Sequence, residues 1–222
     1  MGLHAAFRVR FLDVLASIYI YNEHRGYTSL DRVLQAVRAR CADNPSFIAE
    51  VEKHRADEER HYHMFRRWFE HRGMMPLKVD RTCGHIDHFI ESAFSCTIDE
   101  LNTDAIVADG DAFEKLCRVI LITERRGMDQ VEVLLRNGHV LSDRGLTAIF
   151  KVVERDEPSH WMPYDTWLRA NGRRPKPLWR EKWTDYWIHK SLMLAKLPAI
   201  FLNRNNPRLA SWPDEDPQAY AL

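Results

Sequence analysis

Asp57-Glu58-Glu59-Arg60-His61 and Asp156-Glu157-Pro158-Ser159-His160 each set a carboxylate and an imidazole three residues apart, with an aspartate directly before the glutamate. On an α-helix, positions i and i+3 share a face. Glu58 with His61 can therefore grip one metal ion, and Glu157 with His160 another. A single Glu-x-x-His arises by chance on many solvated helices. Two copies, both preceded by Asp, are far more specific.

Working outward, each motif follows a second glutamate at a similar interval. Asn22-Glu23-His24-Arg25-Gly26 aligns with Thr123-Glu124-Arg125-Arg126-Gly127. Glu23 and Glu124 are 101 residues apart, while Glu58 and Glu157, like His61 and His160, are 99 apart. The chain is thus an internal repeat, and a pseudo-two-fold axis would relate two near-equivalent metal positions.

Apolar periodicity places these residues on helices. Residues 5 to 40 read as one long helix, with Leu12, Ala16, Tyr19, Ile20, Glu23, Tyr27 and Leu30 on one face and a bend or break expected near Gly26. Asn44-Pro45 starts a second helix that runs to about His71 and stops at Gly73. Residues 74 to 111 form a long connection holding a short helix from Ile86 to Ile98. A third helix covers Ala112 to Arg136, with Asn137-Gly138 as its C-terminal signal, and a fourth runs from Ser142 or Asp143 to Ala170. Two helical hairpins joined by one long connection give an all-α four-helix bundle with a single crossover. All six glutamates and histidines fall near mid-helix, at one level of the core. Residues 1–172 would form this bundle, and residues 173–222 an appendage.

Bulk properties exclude several classes. With 45% hydrophobic and 29% charged residues, the composition is that of a globular protein rather than a disordered one. A formal net charge of +0 gives no global pull toward nucleic acid. The four cysteines are scattered without a Cys-x-x-Cys pair, which rules out a zinc ribbon or rubredoxin-type iron site. No signal peptide or membrane span is expected, so a cytoplasmic location is, with peripheral membrane association as the variant.

Glu…Glu-x-x-His, occurring twice, resembles the ligand pattern of ferritin-like di-iron carboxylate proteins over roughly residues 5 to 170. Asp-Glu-x-Arg-His at Asp57 to His61 is similar to the signature of bacterial multicomponent monooxygenases, and the small subunit of class I ribonucleotide reductase has an Asp at a similar place. The resemblance implies that Glu23, Glu58, His61, Glu124, Glu157 and His160 hold two iron ions. It makes Glu58 and Glu157 the bridges, and Asp57 and Asp156 acceptors behind the ligand histidines. The second copy departs from the pattern at Pro158-Ser159.

Four carboxylates and two imidazoles suit iron, with manganese the alternative at one or both positions. Pro158 lacks an N–H, so the helix should kink there and open space beside the metals. Gly26 and Gly127, each three residues after a ligand glutamate, would either line an access route or allow close helix packing. His54, one turn before Glu58, is expected behind the ligands or in the core. Tyr19, one turn before Glu23, is expected in the core, with redox activity the alternative. His85, His88 and Glu91 have ligand-like spacing but read as solvated. Arg60, Arg125, Arg126 and Arg155 would pair with the glutamates if the set were a plain salt-bridged face.

After Arg173-Arg174-Pro175-Lys176-Pro177 a fifth helix is expected from Leu178 to Leu197, with Trp179, Trp183, Tyr186, Trp187, Leu194 and Leu197 in a stripe. Packing of that stripe on the bundle or across a homodimer is preferred to contact with an anionic membrane through residues 178–197. Trp212 to Pro217 reads as a flexible acidic tail. The function expected is a di-iron oxygenase or oxidase that activates O2 toward a small hydrophobic substrate. A separate protein would donate electrons, since the chain carries no flavin or iron–sulfur motif. Two alternatives are a ferritin- or rubrerythrin-like oxidase or peroxidase without organic substrate, and a non-enzymatic bundle that binds membrane or partner. The two Glu-x-x-His motifs argue against storage, and the absent Cys-rich iron domain against rubrerythrin-like electron transfer.

Overall fold

In the computed structural model, which describes residues 2–220, the chain is all-helical. Among the described residues there is no strand, only an isolated antiparallel bridge between Leu77 and Arg208. Helix α1 spans Leu3–Arg40 and α2 spans Pro45–Glu70. Asn44 caps α2 by accepting from the Phe47 N–H, and Gly73 (φ 60°) turns the chain out of it. α1 runs unbroken through Gly26, where a bend or break was expected.

The connection holds more structure than expected. A 3₁₀ turn, Arg81–Cys83, precedes α3 (His85–Phe94), and α4 (Thr103–Ala108) follows, capped by Asn102. Helix α5 (Gly110–Leu134) begins at Asp109, whose side chain accepts from the Asp111 and Ala112 N–H groups. Asn137 does not end α5 with a glycine turn. It caps the short α6 (Gly138–Leu141) by accepting from His139 and Val140. Asp143 caps α7 (Arg144–Asp156), and α8 (Pro158–Ala170) continues past Pro158. The fourth expected helix is therefore broken at the proline, as its missing N–H requires, and His160 N–H closes a tighter i→i+3 bond of 2.9 Å to Glu157.

α1 packs on α2, α5 packs on α7 and α8, and the two pairs meet where α2 lies against α7 and α8. Two apolar clusters result. One takes Leu30 to Val37 of α1, Phe47 and Val51 of α2, Phe113 to Ile122 of α5, and Tyr164 and Leu168 of α8. The other takes Leu12 to Tyr27, Tyr62 to Phe69, Val131, and Leu146 to Val153. On α2, α5 and the α7–α8 pair the candidate ligands lie in the gap between the clusters, and Glu23 of α1 sits at the same level. The predicted common level is thus a polar layer with an apolar plug above and below.

Residues 173–220 fold back on this body. Helix α9 (Trp179–Ser191) leads through a π-helical segment, Leu192–Lys196, into α10 (Leu197–Leu202). Leu192, Leu197, Ile200 and Phe201 cover an α1 patch of Val14, Ile18 and Tyr21. Trp212 is buried under Arg66, and Asp214 accepts from Tyr62 Oη (2.5 Å) and from Arg66 Nη1 (2.7 Å). The expected flexible acidic tail is instead pinned, because Arg66 and Tyr62 supply the donors its carboxylates need.

Candidate metal centre

Glu23, Glu58, His61, Glu157 and His160 are buried and Glu124 nearly so. The two histidines approach the glutamates through Nδ1. His61 Nδ1 is 3.3 Å from Glu23 Oε2 and 3.8 Å from Glu58 Oε1. His160 Nδ1 is 3.2 Å from Glu58 Oε1 and 3.9 Å from both Glu124 Oε2 and Glu157 Oε2. The ligating atoms fall into two groups, Glu23–Glu58–His61 and His54–Glu58–Glu124–His160, each within 4.8 Å of one another. Glu58 belongs to both groups. Glu157 belongs to neither, although its Oε2 is buried without a hydrogen-bond partner.

Behind the imidazoles the aspartates act crosswise. His61 Nε2 lies 3.2 Å from Asp156 Oδ2, and His160 Nε2 lies 3.4 Å from Asp57 Oδ2. Each half of the chain therefore braces the histidine of the other half. Arg60 spans both braces, with Nη1 2.8 Å from Asp57 and Nη2 2.6 Å from Asp156. Lys53 donates to Asp57 (2.6 Å) and to Ser159 Oγ (2.9 Å). Lys53 thus reaches the Pro158-Ser159 turn and Arg60 the aspartate before it. Burial opposes ionisation of Asp57, but His160 and Lys53 outweigh it and hold its carboxyl well below the usual range.

No arginine or lysine pairs with the four glutamates among the described residues. Their ion-pair partners are all imidazoles. Arg60 and Arg155 go to the aspartates, Arg126 to Asp185, and Arg125 to Asp165. Burial, then repulsion from Glu58, pushes Glu23 up to about 7. Burial also raises Glu124, and burial with repulsion from Glu124 raises Glu157. Such a cluster is costly unless cations neutralise it. Nδ1 of His61 and both ring nitrogens of His160 are buried without a well-formed hydrogen bond, and the Nδ1 atoms face the glutamates, where they could coordinate a metal. The donor set therefore fits metal, and its oxygen-rich character fits iron or manganese.

His54 stands inside the layer rather than behind it. It is fully buried, its Nε2 is 3.5 Å from Glu124 and 4.0 Å from Glu58, and its ring stacks on His160 at 4.2 Å. Neither ring nitrogen has a hydrogen-bond partner. Burial and neighbouring His160 push its pKa well down, so the ring is neutral at pH 7. Its counterpart in the second half (54 plus 99) is Val153, so the two halves differ at this position. Its i−4 spacing from Glu58 was the available sequence signal.

Glycine plays a third part besides the two expected. A Cβ on Gly26 would overlap Glu58 Oε2, and one on Gly127 would sit 2.9 Å from Glu157 Oε1. The ligand carboxylates fill the space that side chains there would take. Tyr19 packs between Phe65 and Phe150, with its buried Oη unpartnered. Burial, then Glu23 and Glu157, keep it protonated. His85, expected in solvent, is buried with Nε2 3.1 Å from Asp185, while His88 reaches the Thr82 carbonyl and Glu91 faces Arg81.

No protein family matches the chain, and neither a curated protein nor a solved structure is similar to it.

Proposed function

We propose that the chain is a ferritin-like four-helix bundle holding two iron ions, or manganese at one or both positions, and that it is an O2-activating oxidoreductase acting on a small hydrophobic substrate. The observation carrying this reading is the polar layer: three buried glutamates and a nearly buried fourth whose ion-pair partners, among the described residues, are all imidazoles. Glu23, Glu58 and His61 would hold one ion. His54, Glu58, Glu124 and His160 would hold the other, with Glu157 closing the site between them.

When bound by these residues, two ferrous ions would supply the electrons that reduce O2. The chain's own residues do the rest. Asp57 and Asp156, beside Nε2 of His160 and His61, would favour the proton on that nitrogen and so leave Nδ1 to hold a metal. The apolar plugs on either side exclude water. Tyr19, protonated and without a partner, offers its hydroxyl toward Glu23 and Glu157.

The test is metal analysis after anaerobic loading with Fe(II), followed by O2. About two irons per chain and rapid O2 uptake are expected. Fewer than about one iron per chain ends the di-metal reading. Release of ferric mineral without substrate turnover would favour a ferritin-like oxidase.

A further inference from the structure

Helix α9 is inside out. Its only two carboxylates, Glu181 and Asp185, are buried against the body: Arg118 Nε donates to Glu181 (3.0 Å), and Arg126 and His85 hold Asp185. Its aromatic residues face away. Trp179 is 72% exposed, Trp183 58% and Trp187 52%, and the exposed Tyr186 joins Trp183 and Trp187 in one ring cluster. Exposed Met193, Leu194 and Leu202 continue the patch through the π-helical segment and α10. Of the stripe expected to pack inward, Leu197 does cover α1, but Trp179, Trp183, Tyr186, Trp187 and Leu194 are exposed. An apolar patch of this extent marks an interaction surface.

The charges say what covers it. Between residues 178 and 202 every acid is already paired inward, whereas Arg180, Lys182, Lys190 and Lys196 remain on this segment, with Arg174 and Lys176 just before it; Arg173 is paired with Asp111 and Glu114. Lys190 lies over Tyr186 and Arg180 over Trp179, so cations and aromatics share the outward face. A protein of zero formal net charge thus presents one face that is aromatic and cationic. Indole and phenol rings favour the headgroup level of a bilayer, and lysine and arginine favour anionic headgroups. Among the described residues no helix is long and apolar enough to cross a membrane, and the aromatic and cationic face is suited to contact from one side. A second copy of this chain would bring like charges together on such a face.

We infer that the outward face of residues 178–202 docks on an anionic lipid surface. This inference does not depend on the metal reading, since it uses none of the ligands. It connects to the centre through the ion pair of Arg126 with Asp185, two residues along α5 from Glu124.

The test is flotation of the full chain with vesicles of phosphatidylcholine alone or mixed with phosphatidylglycerol, alongside tryptophan emission and sedimentation velocity. Binding to the anionic vesicles should exceed binding to neutral ones by roughly tenfold or more and fall in about 0.5 M salt. Trp183→Ser with Trp187→Ser should remove binding and the emission blue shift. Arg180→Gln, Lys182→Gln and Lys190→Gln together should abolish the preference for anionic lipid. Lys190 is half-buried and the other four residues are exposed, and circular dichroism should stay unchanged. Equal binding to both vesicles, no binding, or binding that survives the tryptophan changes would overturn the inference. A dimer dissolved by those same changes, without vesicle binding, would assign the face to a second copy instead.

Discussion

His160 Nε2 lies 3.4 Å from Asp57 Oδ2, so the imidazole of the second repeat is held by the aspartate of the first. The reciprocal pair, His61 with Asp156, makes the bracing crosswise. A change beside one glutamate should therefore act at the other ion.

Asp57→Asn removes the acceptor charge behind His160. The expected outcome is a 10- to 100-fold loss of affinity, roughly, for one of two metal equivalents, the one using His160. Mn(II) titration followed by electron paramagnetic resonance measures it. An equal loss for both equivalents, or for the His61 position alone, contradicts the crossed arrangement.

His54→Leu separates ligand from filler. In the metal-free protein it replaces a buried ring with two unsatisfied nitrogens by an apolar side chain of similar size. Apo stability should hold or rise by about 1 kcal/mol. With metal, one equivalent should weaken and the visible spectrum of the Co(II) form should change. If affinity and spectrum both stay as in the parent, His54 does not ligate.

Gly26→Ala sets a methyl group against Glu58 Oε2, whereas Gly127→Ala meets Glu157 at 2.9 Å. Alanine favours a helix interior over glycine by about 1 kcal/mol. Thermal melts of the apo protein should therefore barely suffer. Metal content should fall steeply for Gly26→Ala, because Glu58 serves both ions, and less for Gly127→Ala. Full occupancy in Gly26→Ala would contradict a shared Glu58.

Acid should loosen α9. Burial opposes ionisation of Asp185, but His85 and Arg126 prevail and bring it down to about 2. Because the folded value lies below the unfolded one, the ionised carboxylate stabilises docking above about pH 4. That contribution drains away as pH falls toward about 2. Tryptophan emission and hydrogen exchange across residues 179–191 should report the change. Asp185→Asn should lack this step; an identical acid profile in both proteins would show that the pair does not anchor the helix.

Two helix starts and the gathering of the glutamates and histidines were legible because their signals are local. Asn44 and Asp143 cap with their own side chains, and a Glu-x-x-His puts both residues on one helix face. The orientation of α9 was not legible. Aromatic residues at helical spacing read as inward, but Arg118 and Arg126 on α5 draw Glu181 and Asp185 in and turn the rings outward. The tail likewise owes its place to Tyr62 and Arg66, about 150 residues earlier. The role of His54 turned on whether its nitrogens find partners, which spacing along one helix does not say.

Lys53 and Arg60 have no basic counterparts across the pseudo-axis; the equivalent positions are Val152 and Ser159. Lys53 reaches Ser159, so an arginine there, as symmetry would have it, would set two cations against each other. Two copies of the first half would set Lys53 against Arg60 where the two halves here set it against Ser159. The duplicated sequence is thus matched across its halves at this contact, and Ser159→Arg should weaken it.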